Sequence, residues 1–579
     1  MGEVAVLTLA HPPVNALSAG LRQALTTAVQ AALRDATIQT LVLRGDGKGF
    51  SAGADIAEFG KPDPTARLGD LCLLIETADK PVIAALHGAA LGGGLELALA
   101  AHYRIAHVAA LVGLPEVNLG LLPGAGGTQR LPRLIGASAA LRLMLTGLPI
   151  RASEALALGL LDRVVDQGLT EAACAMAAEG LSPRRTCDMR RGLKDMTGYQ
   201  AAIATARRPA VAAGLAASPR LSPAQIRIID SVEAAALLPF AQGLAAEAMA
   251  FADLVATPEA AGLRHAFFTE RRAALPPPEV AGSAVPILSR LGLWGADDMA
   301  ADLVFQALTA GLHVIWAASD RAALVQALGR TAARQEQAVV AGLLSEDTRD
   351  ADWARLTTAL DPDALGGADL TLSTGQAEAL GLQAGLGAVT GQGGPDAAIT
   401  VPYAPGGLAE LSLRPGATAD VLARMMALAR RLTWRLVFAG PGGPIEWHLR
   451  QALAAAADHL AAQGVTPDQM AAAQGGSAPA SDHTAEILAA NLAAMAAEGA
   501  RMVADGRARR PLDVDAVALL AGLVPRRMGG PMFQADQRGL LVLRQDLRRR
   551  AAAAPVFTPP ALLDELIRDG QTFAALNGR

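Results

Sequence analysis

Residues 87–100 read H-G-A-A-L-G-G-G-L-E-L-A-L-A, and residues 113–130 read G-L-P-E-V-N-L-G-L-L-P-G-A-G-G-T-Q-R. The triple glycine, Gly92 to Gly94, opens an apolar helix rich in alanine and leucine. The first backbone N–H groups of a helix have no partner within it and carry partial positive charge, so they can face an anion. Gly93 is the best such donor. Glu96 lies on the helix itself, and Glu116 follows Pro115 in a loop further along. This spacing lets two carboxylates converge on one pocket from different elements. Paired carboxylates beside free N–H donors suit proton transfer at a carbonyl compound.

Upstream, Phe50 to Ile56 reads F-S-A-G-A-D-I. Together with G-G-G-L-E, the Pro115–Glu116 pair and P-G-A-G-G-T-Q-R at 123–130, this stretch resembles the crotonases, the enoyl-CoA hydratase and isomerase superfamily. The resemblance implies an oxyanion hole made by the N–H groups of Ala54 and Gly93, with Glu96 and Glu116 as the acid–base pair. It also implies a thioester-binding surface made of Ala16, Ala52, Ala54, Asp55, Ile56, Gly92 and Gly93. Ala16 belongs to L-A-H-P-P-V-N-A-L-S, which the resemblance assigns to the coenzyme A moiety, and Ser18 in that stretch is a natural N-cap for a helix to Asp35. The strand expected at 81–88 feeds the triple glycine. His87 beside it is read as structural.

The chain has 579 residues, enough for three to five domains. Its net charge of −5 gives no overall basic surface for nucleic acid, and the 52% hydrophobic content is mostly alanine, without a run of large apolar residues that would span a membrane. No basic leader precedes M-G-E-V-A-V-L-T-L, and the final Asn577-Gly578-Arg579 is not a peroxisomal address, so a cytoplasmic protein is expected. Cys72, Cys174 and Cys187 are scattered, which predicts free thiols and no metal site.

Alternation of short apolar runs with helical segments predicts an α/β fold for residues 1–186, with Ser153 capping a helix near its end. Residues 187–278 read as helical. Their I-D-S-V-E-A-A-A-L-L-P-F-A-Q-G-L-A-A-E-A-M-A-F, 229–251, resembles the linker of multifunctional enzyme type 1, which completes the hydratase part and joins it to a 3-hydroxyacyl-CoA dehydrogenase. His265 there is read as a packing residue. The resemblance then implies a Rossmann-like α/β domain over 279–441, a truncated helical domain over 442–476 and a second helical domain over 477–579. The last is marked by E-I-L-A-A-N-L at 486–492 and P-R-R-M-G-G-P-M-F-Q-A-D at 525–536.

The dinucleotide-binding turn of that second half departs from the family. Where G-x-G-x-x-G belongs after the strand near 287–294, the three positions hold Gly295, Asp297 and Ala300, with Asp302 in place of a further glycine. A carboxylate at 297 meets a pyrophosphate with bulk and like charge. Ala318 stands at the strand end where the ribose acceptor is expected, though Asp320 is near. The segments that resemble the family's catalytic motifs hold Val401 for the histidine and Trp447 for the asparagine. Glu410 remains, and Ser373 is the nearest candidate for the serine. The helical stretch expected after Gln474 is replaced by G-G-S-A-P-A-S-D.

The expected function is therefore hydration of a trans-2-enoyl-CoA to a (3S)-3-hydroxyacyl-CoA, with no resident cofactor and no binding of NAD. Three alternatives stay open. They are a Δ3,Δ2-enoyl-CoA isomerase, a bifunctional hydratase and dehydrogenase of fatty-acid β-oxidation, and, for the second half, a docking scaffold for a thiolase partner.

Overall fold

In a computed structural model, the described residues are 3–578 except 61–66, 209–220, 277, 279–284, 375–384, 387–396, 400–405, 414–417, 443 and 476–481. The chain forms two compact units, Met1–Arg264 and His265–Arg579.

Unit 1 is built on a five-stranded parallel sheet of β1 (Val4–Leu9), β2 (Thr40–Gly45), β3 (Val82–Leu86), β5 (Tyr103–His107) and β8 (Arg163–Val165), in the order β1-β2-β3-β5-β8. A second, three-stranded layer is formed by β4 (Ala89–Leu91), β6 (Leu111–Gly113) and β7 (Ile150–Arg151). The central strand β3 is V-I-A-A-L, buried at all five positions, as a parallel strand covered on both faces requires. Helices α1 (Ala19–Arg34), α2 (Leu68–Glu76), α3 (Gly93–Ala100), α4 (Gly127–Thr146), α5 (Ala152–Leu158), α6 (Leu169–Ala177) and α7 (Met196–Ala206) complete this ββα core. Ser18 caps α1 through its hydroxyl. Ser153 does not cap α5: the helix begins at Ala152, so Arg151 is the flanking residue and Ser153 sits inside the first turn.

Beyond this core, α8 (Pro223–Leu237), α9 (Phe240–Val255) and the start of α10 (Pro258–Ala273) lay apolar faces on the same core. Ile228, Ile229, Val232, Ala250, Leu254 and Ala260 are core residues of unit 1. α8 starts with a reciprocal capping box between Ser222 and Gln225.

Unit 2 begins its α/β part with β9 (Arg290–Trp294), α11 (Asp298–Thr309), β10 (His313–Ala317), α12 (Arg321–Val340), α13 (Glu346–Trp353), β11 (Leu356–Ala359) and β12 (Leu370–Ser373). The strands run parallel in the order β11-β10-β9-β12. In chain order that is 3-2-1-4, the arrangement of a dinucleotide-type fold. A second sheet, β13 (Gly385–Leu386), β14 (Ala397–Ile399), β15 (Leu408–Leu413) and β16 (Arg435–Ala439), contains an antiparallel pair between β14 and β15. The helix α14 (Ala419–Arg431) lies between β15 and β16 in the chain and buries Met425, Met426 and Leu428.

The remainder of unit 2 is helical, with α15 (Ile445–Ala462), α16 (Pro467–Gly475), α17 (Asp482–Ala504), α18 (Pro511–Leu520), α19 (Pro531–Arg538), α20 (Leu540–Ala551) and α21 (Ala561–Arg568). By length and composition alone, Thr484–Ala504 of α17 could cross a membrane, contrary to the sequence expectation that no segment is long and apolar enough. The alanines that the sequence reading discounted raise its hydropathy. Its apolar window is 67% buried, and Ile487, Ala490, Ala493 and Met495 belong to the core of this unit.

Candidate active site

The stretch from Gly88 to Glu96 is shaped by close approaches that only glycine permits. Gly92 has φ +54 and turns the chain from β4 into α3. A Cβ on Gly94 would stand 2.7 Å from the Ser51 carbonyl oxygen, because the 51–54 segment runs against the start of α3. That segment is fixed by Ser51 N–H to Ala89 O at 3.0 Å and Leu91 N–H to Ser51 O at 3.0 Å. A Cβ built on Gly93 would lie 3.2 Å from the Ala54 nitrogen, and one on Gly53 3.2 Å from the Gly93 nitrogen. Ala54 and Gly93 are therefore neighbours, and no side chain caps α3.

The loop holding Ala16 is tied to the same place. Asn15 donates through Nδ2 to Asp46 O at 2.8 Å and Gly49 O at 2.9 Å, Ser51 Oγ donates to Asn15 O at 2.7 Å, and Ala52 N–H donates to Val14 O at 3.0 Å. Asp55 caps the short helix that starts at Ile56, accepting from Ala57 N–H at 3.0 Å. Ala16, Ala52, Ala54, Asp55, Ile56, Gly92 and Gly93 thus belong to one connected set of segments. His87 donates through Nε2 to Gly47 O, 3.0 Å away, a structural tie.

Glu96 is buried, and its Oε1 accepts Ala125 N–H at 2.7 Å and Gly127 N–H at 2.8 Å. Burial raises its pKa, and these two bonds pull it partly back. Glu116 lies at the start of a short 3₁₀ turn, with its Oε1 3.1 Å from where a Cβ on Gly92 would be. Its Oε2 is buried without a hydrogen-bond partner. Its pKa stands well above the ordinary carboxylate value, first through burial and then through repulsion from Glu96. The two carboxyls are unlike: one is anchored by donors, the other has an oxygen aimed at nothing.

Two features were not foreseen from sequence. Arg130 and Glu76 form a buried ion pair, Nη2 to Oε2 at 2.8 Å, and Arg130 Nη1 also holds Ala125 O at 2.8 Å. The second is Glu247 on α9, whose carboxylate accepts from Gly126 and Thr128. The available signal was a single acid in the apolar run L-A-A-E-A-M-A.

In unit 2, Gly295 has φ +124, and a Cβ there would meet Thr374. Asp297 is the N-cap of α11 and accepts Ala300 N–H at 2.8 Å. Arg330 donates to Ala296 O at 2.9 Å and pairs with Asp298. Asp302 is buried beside Arg334. Ala318 is buried, and Asp320 is spent on capping α12 through Ala322 N–H at 2.7 Å. Glu410 is buried and accepts Ile445 N–H at 2.6 Å and Glu446 N–H at 2.9 Å, so it caps α15. Burial raises its pKa to about 7. Trp447 is 43% exposed on that helix, and Ser373 is buried at the end of β12. Val401 and most of the segment after Gln474 lie outside the described residues. His265 pairs with Asp515 at 2.9 Å and stacks on Phe533, a packing role.

Residues 1–195 match the family described as enoyl-CoA hydratase/isomerase. The N-terminal part of this chain is a crotonase. The chain is 42% identical over 278 residues to the peroxisomal bifunctional enzyme of Danio rerio, covering 47% of this chain and 37% of that one. It is 40% identical over 281 residues to the fatty acid oxidation complex subunit alpha of Shewanella amazonensis, covering 46% and 39%. The probable enoyl-CoA hydratase of Bacillus subtilis is 51% identical over 164 residues, 27% of this chain and 64% of that one. The chain thus spans about half or less of the length of the multifunctional relatives it matches. Its architecture, a crotonase part followed by a dinucleotide-type sheet and helices, is like that of a bifunctional enzyme. The expectation of a cytoplasmic protein is corrected by these matches, since vertebrate relatives are named as peroxisomal enzymes. The lack of a terminal address was too weak a basis for it.

Proposed function

We propose that the crotonase part hydrates a trans-2-enoyl-CoA thioester to a (3S)-3-hydroxyacyl-CoA. The observation that carries this reading is the contrast between Glu96, held by two N–H donors, and Glu116, whose buried Oε2 has no partner. The N–H groups of Ala54 and Gly93 would polarise the thioester carbonyl and stabilise the enolate-like transition state, on the order of 3 kcal/mol for each donor. Glu96, the more readily ionised of the two, takes a proton from water as its oxygen attacks the β-carbon. Glu116, kept protonated by burial and by its neighbour, delivers a proton to the α-carbon. Ala16, Ala52, Asp55, Ile56 and Gly92 would line the path of the thioester. Loss of the conjugated enoyl absorbance of crotonyl-CoA, with chiral analysis of the product, tests the reading. Absence of turnover across short and long enoyl thioesters would sink it.

We infer further that the dinucleotide-type half does not carry a hydride transfer. The residues present do not fit a nicotinamide dinucleotide: the Asp297 carboxylate already occupies the start of α11, where a pyrophosphate would sit, and adds like charge there. Asp320 is engaged as a cap rather than open to a ribose. Calorimetric titration with NADH tests this, and saturable micromolar binding would overturn it. In this reading the chain divides into a crotonase core, 1–186, a helical linker, 187–278, a degenerate dehydrogenase domain, 279–441, and two helical parts, 442–476 and 477–579. The second half is then free for a structural task such as docking a thiolase, which co-purification would test.

A further inference from the structure

Unit 1 buries a third carboxylate beside the two that hydration needs. Glu247 on α9 is 1% exposed and stands in an otherwise apolar run. Its Oε1 accepts Gly126 N–H at 2.5 Å, and its Oε2 accepts Thr128 N–H at 2.9 Å as well as the Thr128 hydroxyl. Glu96 accepts from Ala125 and Gly127. Successive N–H groups from 125 to 128 therefore alternate between two carboxylates, one from α3 and one from α9. The pairing is tight at both ends. Gly126 has φ +101, and one turn before Glu247 a Cβ on Gly243 would collide with Gln129 Oε1.

A local cap could have closed the start of α4, yet the chain brings an acid from more than a hundred residues away into an apolar interior, where an ionisable group is costly. We propose that Glu247 is a positioning residue of the hydration site, holding the 126–128 backbone so that the N–H groups of Ala125 and Gly127 stay aimed at Glu96. The proposal rests on the hydratase reading above. The ionisable groups that face Glu247 are Glu96 on α3, Glu116 in its 3₁₀ turn, Arg130 on α4 with its partner Glu76, and the Cys72 thiol on α2. Burial and the Glu96 charge push the Glu247 carboxyl up to about 8, and its negative form in turn favours the protonated form of Glu116.

The test uses the full chain. In Glu247→Gln one oxygen still accepts an N–H, but the amide turns donors toward the other, so one of the two anchors is lost whichever way the side chain sits. We expect kcat for crotonyl-CoA to fall about tenfold or more with KM within about twofold, as for groups that orient a reacting residue without touching substrate. The alkaline limb of kcat should move to lower pH, since Glu116 loses a neighbour that is negatively charged above about pH 8. Glu247→Asp, which keeps the charge, should leave that limb near its wild-type position. Thr128→Val, a milder change if Glu247→Gln folds poorly, should lower kcat about threefold through loss of one hydrogen bond. Amide proton shifts of Ala125 and Gly127, read by NMR without substrate, should move upfield in Glu247→Gln. Unmoved shifts with an unchanged kcat for the folded variant would overturn the proposal. A wild-type protein inactive on every enoyl thioester would instead sink the hydratase reading, and the amide shifts would still decide the role of Glu247.

Discussion

Two of the helices that follow a glycine with positive φ have opposite fates. α3 follows Gly92, and its end carries no side-chain cap; α11 follows Gly295 and Asp297, and its end is closed by the Asp297 carboxylate. Both turns bring a helix N-terminus, whose first N–H groups lack partners within the helix, close after a glycine. Only the first leaves donors for something other than the chain. The contrast lies in the flanking side chains: none caps α3, whereas Asp297 caps α11. The second half repeats the closure at α15, where Glu410 takes the N–H groups of Ile445 and Glu446.

The most severe way to break this comparison is to neutralise the two carboxyls proposed as proton carriers. Glu96→Gln and Glu116→Gln each keep shape, so thioester affinity should be retained while kcat falls by roughly 10²- to 10⁴-fold, measured by steady-state hydration of crotonyl-CoA. Near-wild-type turnover in either variant would remove the distinction between the two helix ends.

Glu410 gives the next effect, in stability. Its folded pKa is raised to about 7 from 4.5, so the native state binds more protons than the unfolded chain between those values. Its contribution is therefore full below the unfolded pKa and is lost as pH rises toward 7 and beyond, by about 3 kcal/mol at most. Glu410→Gln should flatten that part of the pH dependence of unit 2 unfolding, followed by denaturant titration at a series of pH values. An unchanged slope would show that the closed end costs nothing.

Gly94→Ala sharpens the open end. Its Cβ would press on the Ser51 carbonyl and displace the segment that carries Ala54, so the variant should lose about 1–3 kcal/mol of stability, and turnover with it. Thermal unfolding alongside the hydration assay would check both.

The smallest effect belongs to Asp297→Ala, which should cost about 1 kcal/mol as a lost cap and still bring no NADH binding, because Ala300, Ala318 and the engaged Asp320 remain. Calorimetry on the variant decides it. Tight NADH binding would mean that the carboxylate alone had closed the site.

The open end was legible in the sequence because its determinants are local. Three glycines, a glutamate two residues beyond them and a Pro–Glu pair further on fix backbone approach and carboxylate placement within about forty residues of chain. The closure by Asp297 was partly legible too, as a charge where a glycine belongs, although its action as a cap on Ala300 emerged only from geometry. Glu247 was not legible, since its partners are 121 and 119 residues away and nothing in α9 announces them. The Arg130–Glu76 pair escaped for the same reason. The alternation after β9 foretold a parallel sheet, but not the antiparallel pairing of β14 with β15, which depends on how distant strands meet. Ser153 failed as a cap because a preference for a residue type does not set the starting residue to within one position.

The alternating grip on residues 125–128 bears on where this protein could be cut. The stretch that matches the family ends at residue 195, while one of the two carboxylates gripping the start of α4 arrives at 247. A shortened protein ending at 195 would retain Ala54, Gly93, Glu96 and Glu116, every residue that the family pattern marks, and would expose the Gly126 and Thr128 N–H groups together with the apolar surface that α8 and α9 cover. Its sequence would look complete and its chemistry would be unsupported. The smallest inheritable piece of this enzyme is therefore longer than its signature.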